Sequence, residues 1–203
     1  MPMTAPAPDT DQAPLTRDTP FMAAVLRLFG IIAESLPDGL PEPVDVFIAG
    51  GVALHALTGA RVSQDVDSIF SHRILVPQDL VVGWRDEQGV RRSLCFDYNY
   101  APVFGLLHPD YAARAIPVAW RHPKPLRLYV LAPADLAITK LARFADNDRG
   151  DIRLLIERGL LTDAPGFRLL ATEALSYYVG NDAFIVANLD QVTGWIQSEH
   201  PTA

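Results

Sequence analysis

Apolar residues recur at helical spacing through FMAAVLRLFGIIAESL, from Phe21 to about Leu36. A face repeating every three to four residues predicts an amphipathic helix. Thr19-Pro20 offers it a capping hydroxyl and a first-turn proline, and Pro37, Asp38, Gly39 and Pro41 stop it. VDVFIAG (44–50) is a short apolar run rich in β-branched and aromatic residues, which predicts a buried strand. Gly50-Gly51 breaks that run; VALHALTG then predicts a short helix closed by Gly59, and QDVDSIF a second strand. Further strands are predicted around 73–76 and 90–100, with a loop containing Gly83 and Gly89 between them, and at LRLYVL (126–131). From Pro133 the period turns helical: PADLAITKLARFA, DIRLLIERGLL ending at Gly159, and two more helices at about 165–178 and 182–198. No internal repeat interrupts this order.

The pattern predicts an α/β (α+β) chain with a small mixed β-sheet core flanked by helices and a helical C-terminal part. The expected divisions are a disordered Pro/Ala/Thr-rich tail over 1–18, a core with its N-terminal helix over 19–131, and helices over 132–203. Apolar residues at 49% and charged ones at 20% suffice for an ordinary buried core. The single cysteine, Cys95, excludes an internal disulfide. No apolar run approaches the roughly 18 residues of a membrane span, and the N-terminus lacks the basic start and apolar stretch of a signal peptide. The expected location is cytoplasmic, with no membrane partner.

A net charge of −7 argues against a protein that coats nucleic acid, but the charge is uneven. Residues 1–45 carry two Arg against seven acids and 150–203 three against seven, whereas 84–127 carry seven Lys/Arg against four acids. That basic segment, with Arg85, Arg91, Arg92, Arg114, Arg121, Lys124 and Arg127, either forms a phosphate-attracting surface or is scattered and solvated.

Asp65-Val66-Asp67 carries the chemistry. On one strand the two carboxylates point the same way with Cα atoms roughly 6.5 Å apart, and Val66 points into the core. Carboxylates this close repel unless a cation lies between them, and hard oxygen ligands suit Mg²⁺. Metal ions there can clamp the attacking and leaving oxygens of a phosphoryl displacement. Gly50 and Gly51 allow close backbone approach to a ligand and open a helix whose N-terminus favours phosphate.

The stretch GGVALHALTGARVSQDVD, Gly50 to Asp67, resembles the core signature of the DNA polymerase beta-like nucleotidyltransferase superfamily. More narrowly it resembles the bacterial AbiEii-like toxin branch, whose downstream segment is similar to LAPADLAITKLARFADNDRGDIRLL. The likeness covers roughly residues 44–160. It implies a metal-dependent nucleotidyltransferase that moves a nucleotidyl group from an NTP to an acceptor hydroxyl. Gly50 and Gly51, with Arg61 and Ser63, would contact the nucleotide, and Asp65 and Asp67 would hold Mg²⁺. Lys140 and Asp151, with Asp148 nearby, match the downstream catalytic or nucleotide-contacting pair. The superfamily's third carboxylate, a metal ligand or base, is assigned to Asp97, which shares a strand face with Cys95 and Asn99. The resemblance also implies a toxin–antitoxin or phage-defence setting, a tRNA or protein acceptor, and a cognate antitoxin.

Other readings stand beside these. His55, in the apolar helix, is read as a satisfied core histidine, and Arg61 as a partner of either a phosphate or Asp65. Lys140 lies at the apolar border of its helix, with Asp135, Thr139 and Arg143 further round on the polar side; surface snorkelling is its structural alternative. Asp148 and Asp151 also suit a helix N-terminus. Tyr177, Tyr178, Phe184 and Trp195 fall at helical spacing as core or interface residues. The alternative functions are a non-catalytic interaction module on the same scaffold and an antibiotic-type, small-molecule nucleotidyltransferase.

Overall fold

A computed structural model describes residues 15–100, 106–180 and 182–201. Most of the tail expected over 1–18 lies outside these residues. The chain is anchored from Leu15, which is buried, and the Thr16 N–H donates to the Ala56 carbonyl at 2.7 Å. The described residues divide into two units, one of 15–100 with 115–131, the other of 106–114 with 132–180 and 182–201.

Among the described residues, the first unit holds every strand. Helix α1 (Pro20–Glu34) starts at Thr19, whose hydroxyl accepts the Met22 N–H at 3.1 Å. Its apolar face buries Phe21, Met22, Val25, Leu28, Phe29 and Ile32. Burying a side chain of this size contributes about 1.5–3 kcal/mol. Strand β1 (Val44–Ile48) and helix α2 (Gly50–Thr58) follow, and α2 ends on Gly59 at φ +70°.

The expected QDVDSIF strand is two strands. Short β2 (Asp65–Val66) runs parallel to β5 (Arg91–Phe96), whereas β3 (Ser68–Phe70) runs antiparallel to β1. The chain changes sheets at Asp67, whose carbonyl accepts the Ala49 N–H at 2.9 Å. Val66, Ser68 and Ile69 are all buried, which a single alternating strand would not allow.

The first sheet has the order β3-β1-β7-β6, with β6 (Ile116–Pro117) and β7 (Leu126–Val130); β7 runs parallel to β1. The second has the order β2-β5-β4. Strand β4 (Val81–Arg85) occupies part of the expected Gly83–Gly89 loop, and alternates exposed and buried residues beneath α1. Gly83 is a paired strand residue, opposite Ser93. The turn comes after it, where the Asp86 carboxylate accepts the N–H groups of Gln88 and Val90 and Gly89 adopts φ +79°. The strand expected at 73–76 is absent: this segment is irregular, its Leu75 is 92% exposed, and Pro77 restricts the residue before it.

The second unit is helical: α3 (Tyr111–Arg114), α4 (Pro133–Leu141), α5 (Asp146–Glu157), α6 (Ala164–Ser176) and α7 (Ala183–Glu199). Gly159 follows α5 at φ +68°, as its place in the sequence predicts. Leu136, Leu155, Phe167, Val192 and Ile196 form its core. Trp195 stacks on Phe144, in keeping with a packing role, but Tyr177 and Phe184 are 65% and 76% exposed and contribute little to that core. Among the described residues no helix is long and apolar enough to cross a membrane.

Candidate functional site

The first cluster is a tight corner where β1 turns into α2. Gly50 opens α2 at φ +57°, a conformation that side chains disfavour. A Cβ added to Gly50 would lie 1.8 Å from Asp67 Oδ2. A Cβ on Gly51 would lie 2.8 Å from the Ser63 Cβ. The two glycines therefore leave room for the Ser63–Asp67 segment, which seats the Asp67 carboxylate against the N-terminus of α2. The dipole and open N–H groups there favour a negative charge.

His55 fixes the approach to this corner. It is buried, with Nδ1 2.9 Å from the Arg61 carbonyl and Nε2 3.0 Å from the Thr19 hydroxyl. A carbonyl only accepts, so Nδ1 carries a proton and donates to Arg61, while Nε2 and the Thr19 hydroxyl share the second hydrogen bond. The core reading of His55 thus acquires a function of position, because the ring ties α1 and α2 to the loop that delivers Asp65. In that loop Arg61 is exposed, at φ +49°.

Asp65 is exposed and Val66 fully buried, as alternation predicts. Asp67 lies one residue past β2, so the two aspartates do not share a single strand. Register places Asp97 beside them. Asp65 pairs with Cys95 and Val66 with Phe96 in a parallel ladder, and the Asp97 N–H donates to the Val66 carbonyl at 3.2 Å. Asp97 directly follows β5 and Asp67 directly follows β2, so both acids leave the carboxyl ends of these paired strands. Asp97 Oδ1 accepts the Asn99 N–H at 2.8 Å, which holds its side chain in a turn.

Among the described residues no three Asp, Glu, His or Cys side chains converge closely enough to hold an ion by themselves. Mg²⁺ is commonly held by one or two carboxylates together with substrate phosphates and water. Asp65 is exposed and Asp67 half-buried, and their hard carboxylate oxygens are of the type such an ion takes.

The second cluster lies within the helical unit. Lys140 is only 7% exposed, so it is not a snorkelling surface lysine. Its Nζ donates to Asp151 Oδ2 at 2.7 Å and lies 3.7 Å from Asp148 Oδ1. Asp148 also receives two hydrogen bonds from Arg143, each 2.7 Å, and the Ala145 N–H at 3.0 Å. Burial would raise the Asp148 carboxyl, but the Arg143 hydrogen bonds and the nearby charges of Lys140 and Arg143 hold it below the ordinary carboxylate range. The helix-terminus reading of Asp148 therefore describes part of its environment, and the ion pairs the rest.

Asp135 corrects the expected polar side of α4. It is fully buried and takes a two-pronged grip from Arg114, with Nε 2.9 Å and Nη2 2.7 Å from its two oxygens. Those bonds raise the Arg114 guanidinium further above its ordinary value, against the effect of its partial burial. Sequence reading missed this pair because Arg114 lies 21 residues from Asp135. The only available signal was an acid inside an otherwise apolar helical turn.

A comparison with curated proteins finds no match. A family model described as a nucleotidyltransferase of unknown function (DUF6036) matches residues 27–190, a span that includes both sequence motifs, and the chain belongs to that family.

Proposed function

We propose that the chain is a Mg²⁺-dependent enzyme that transfers a nucleotidyl group from an NTP to an acceptor hydroxyl and releases pyrophosphate. The observation that carries this reading is the corner in which Gly50 and Gly51 clear space for Asp67 and Ser63, with Asp65 and Asp97 on adjoining strand ends. Asp65 and Asp67 are the proposed metal ligands, and Gly50, Gly51, Arg61 and Ser63 the proposed nucleotide contacts. Bound Mg²⁺ would neutralise phosphate charge and polarise the phosphoryl group. The N-terminus of α2 attracts the triphosphate. Asp97 takes the proton from the acceptor hydroxyl as its oxygen bonds to the α-phosphorus. The α–β phosphoanhydride bond breaks, and its electron pair leaves with pyrophosphate. Lys140 and Asp151 are assigned a holding role within the helical unit, as the pair that keeps α4 and α5 in register.

The AbiEii-like resemblance supports a toxin–antitoxin or phage-defence setting, with tRNA or protein as acceptor and an antitoxin as partner. The test is calorimetric titration with each NTP, with and without Mg²⁺. The reading predicts Mg²⁺-dependent binding that an Asp65→Ala/Asp67→Ala variant loses. Absence of such binding for every NTP would favour a non-catalytic interaction module.

A further inference from the structure

The exposed face of the β2-β5-β4 sheet carries an unusual sequence of side chains. Asp65, Cys95, Ser93 and Arg91 share it through the parallel register of β2 with β5, and Val81, Gly83 and Arg85 through the antiparallel register of β4. Arg85 and Arg91 are directly paired across the strands. Like charges in that position destabilise a sheet. Between this pair and Asp65 lie small residues, Gly83 and Ser93, so the floor is low.

The same hairpin borders a groove of about 430 Å³ against α1, lined by Pro20, Ala23, Arg27, Trp84, Arg92 and the two paired arginines. Four arginines line this groove and no acid does. Asp86, at the adjoining turn, engages Arg92 at 3.0 Å, and exposed Glu87 is next to it. Arg27 and Arg85 each spend one N–H on a backbone carbonyl, of Gly83 and Gly89, which leaves most of the five donors of each guanidinium. The Arg91 backbone is part of the β4–β5 ladder, but among the described residues its guanidinium has no hydrogen bond or ion pair. Trp84 is 8% exposed, and its indole N–H, which can only donate, has no partner among the described residues. A donor-rich groove in a chain of net charge −7 selects an anion. Four guanidinium groups exceed what one phosphate needs.

We propose that this groove binds successive phosphates of a single nucleic-acid strand, and that the exposed face of β5 leads that strand to Asp65 and Asp97. Arg91 and Cys95 are four residues apart on β5, so the track is about 13 Å long. The acceptor is thereby assigned to the nucleic-acid class. That assignment rests on the nucleotidyl-transfer reading, whereas phosphate binding by the groove does not.

The test is fluorescence anisotropy of a labelled single-stranded RNA with the full chain, without NTP, over a series of salt concentrations. The wild-type chain is expected to bind with a negative salt slope. Arg85→Ala/Arg91→Ala should bind at least tenfold more weakly and flatten the slope by about 1.4, at about 0.7 for each lost phosphate contact. Both side chains are exposed, and loss of the Arg85–Gly89 hydrogen bond is offset by removal of the like-charge pair, so the unfolding midpoint should not fall appreciably. Asp65→Ala/Asp67→Ala should retain RNA binding, which separates failure of this proposal from failure of the transfer reading. Equal affinity and slope in the arginine variant would overturn the proposal. So would saturable binding of pyrophosphate at these arginines with no binding of RNA, which would make the groove a small-anion site.

Discussion

At the scale of single residues, the glycine pair and the Asp-Val-Asp run explain each other. Their proximity in sequence made a shared site legible, but not why both glycines are needed. The reason is clearance: Asp67 Oδ2 fills the position a Gly50 Cβ would take, and the Ser63 side chain crowds that of Gly51. The substitutions should therefore differ in their rescue. Gly50→Ala combines strain at φ +57° with displacement of Asp67 and should cost about 1–3 kcal/mol in denaturant unfolding, with loss of NTP binding. Gly51→Ala should be partly rescued by Ser63→Gly, because the clash is with that side chain. A double-mutant cycle that finds the two changes additive would contradict this packing. Alternation put Asp97 on a strand face with Cys95 and Asn99, whereas β5 ends at Phe96. The hydrogen bond from the Asp97 N–H to the Val66 carbonyl follows from the β2–β5 pairing, which no local pattern reports.

At the scale of elements, the longer helices were legible because their apolar period agrees with their start and stop signals, as at Thr19-Pro20, Gly59 and Gly159; short α3 carried no such pattern and was not predicted. Strand β4 was not, because Gly83 reads as a breaker although its pairing with Ser93 makes it part of a ladder. The division of QDVDSIF between two sheets was equally hidden, since it depends on which distant strand each half meets. Lys140 and its partners show the same limit: helical spacing put the lysine at a border, and only the packing of α4 on α5 buries it with Asp151 and Asp148. Lys140→Met removes that ammonium from two buried carboxylates and should cost about 3–5 kcal/mol in denaturant unfolding. Lys140→Met/Asp151→Leu should recover part of the loss.

The pH dependence has a definite sign. Asp148 is held below its ordinary value of 3.8, so its contribution to stability is full above that pH and is lost as pH falls through the lower folded value. The unfolding midpoint should drop more steeply below pH 3.8 in the wild type than in Asp148→Asn. Parallel curves would show that the carboxylate adds nothing to stability.

At the scale of the whole molecule, the net charge of −7 hides an opposite local charge, and the basic 84–127 segment does not form one surface. Lys124 is paired with Asp38, Arg127 with Asp45, and Arg114 with Asp135. Arg85, Arg91 and Arg92, joined by Arg27 from α1, instead line the groove. Charge counting located the segment but could not separate the arginines spent on structure from those turned outward. The family match extends over residues 27–190 and so includes parts of both units. The carboxylate corner and the arginine groove both belong to the unit that holds the sheets.

The most direct test of the central claim is label transfer. The full chain would be incubated with each α-labelled NTP, Mg²⁺ and total RNA, beside the Asp65→Ala/Asp67→Ala variant. Label is expected on RNA, at least a hundredfold above the variant, since removing a single preorganised group that stabilises transition-state charge commonly costs about 10²–10³ in rate. Label on the chain itself or another protein would retain the transferase and overturn the nucleic-acid acceptor. No label from any NTP, or equal label in the variant, would contradict the assignment of Asp65 and Asp67 as the reaction centre.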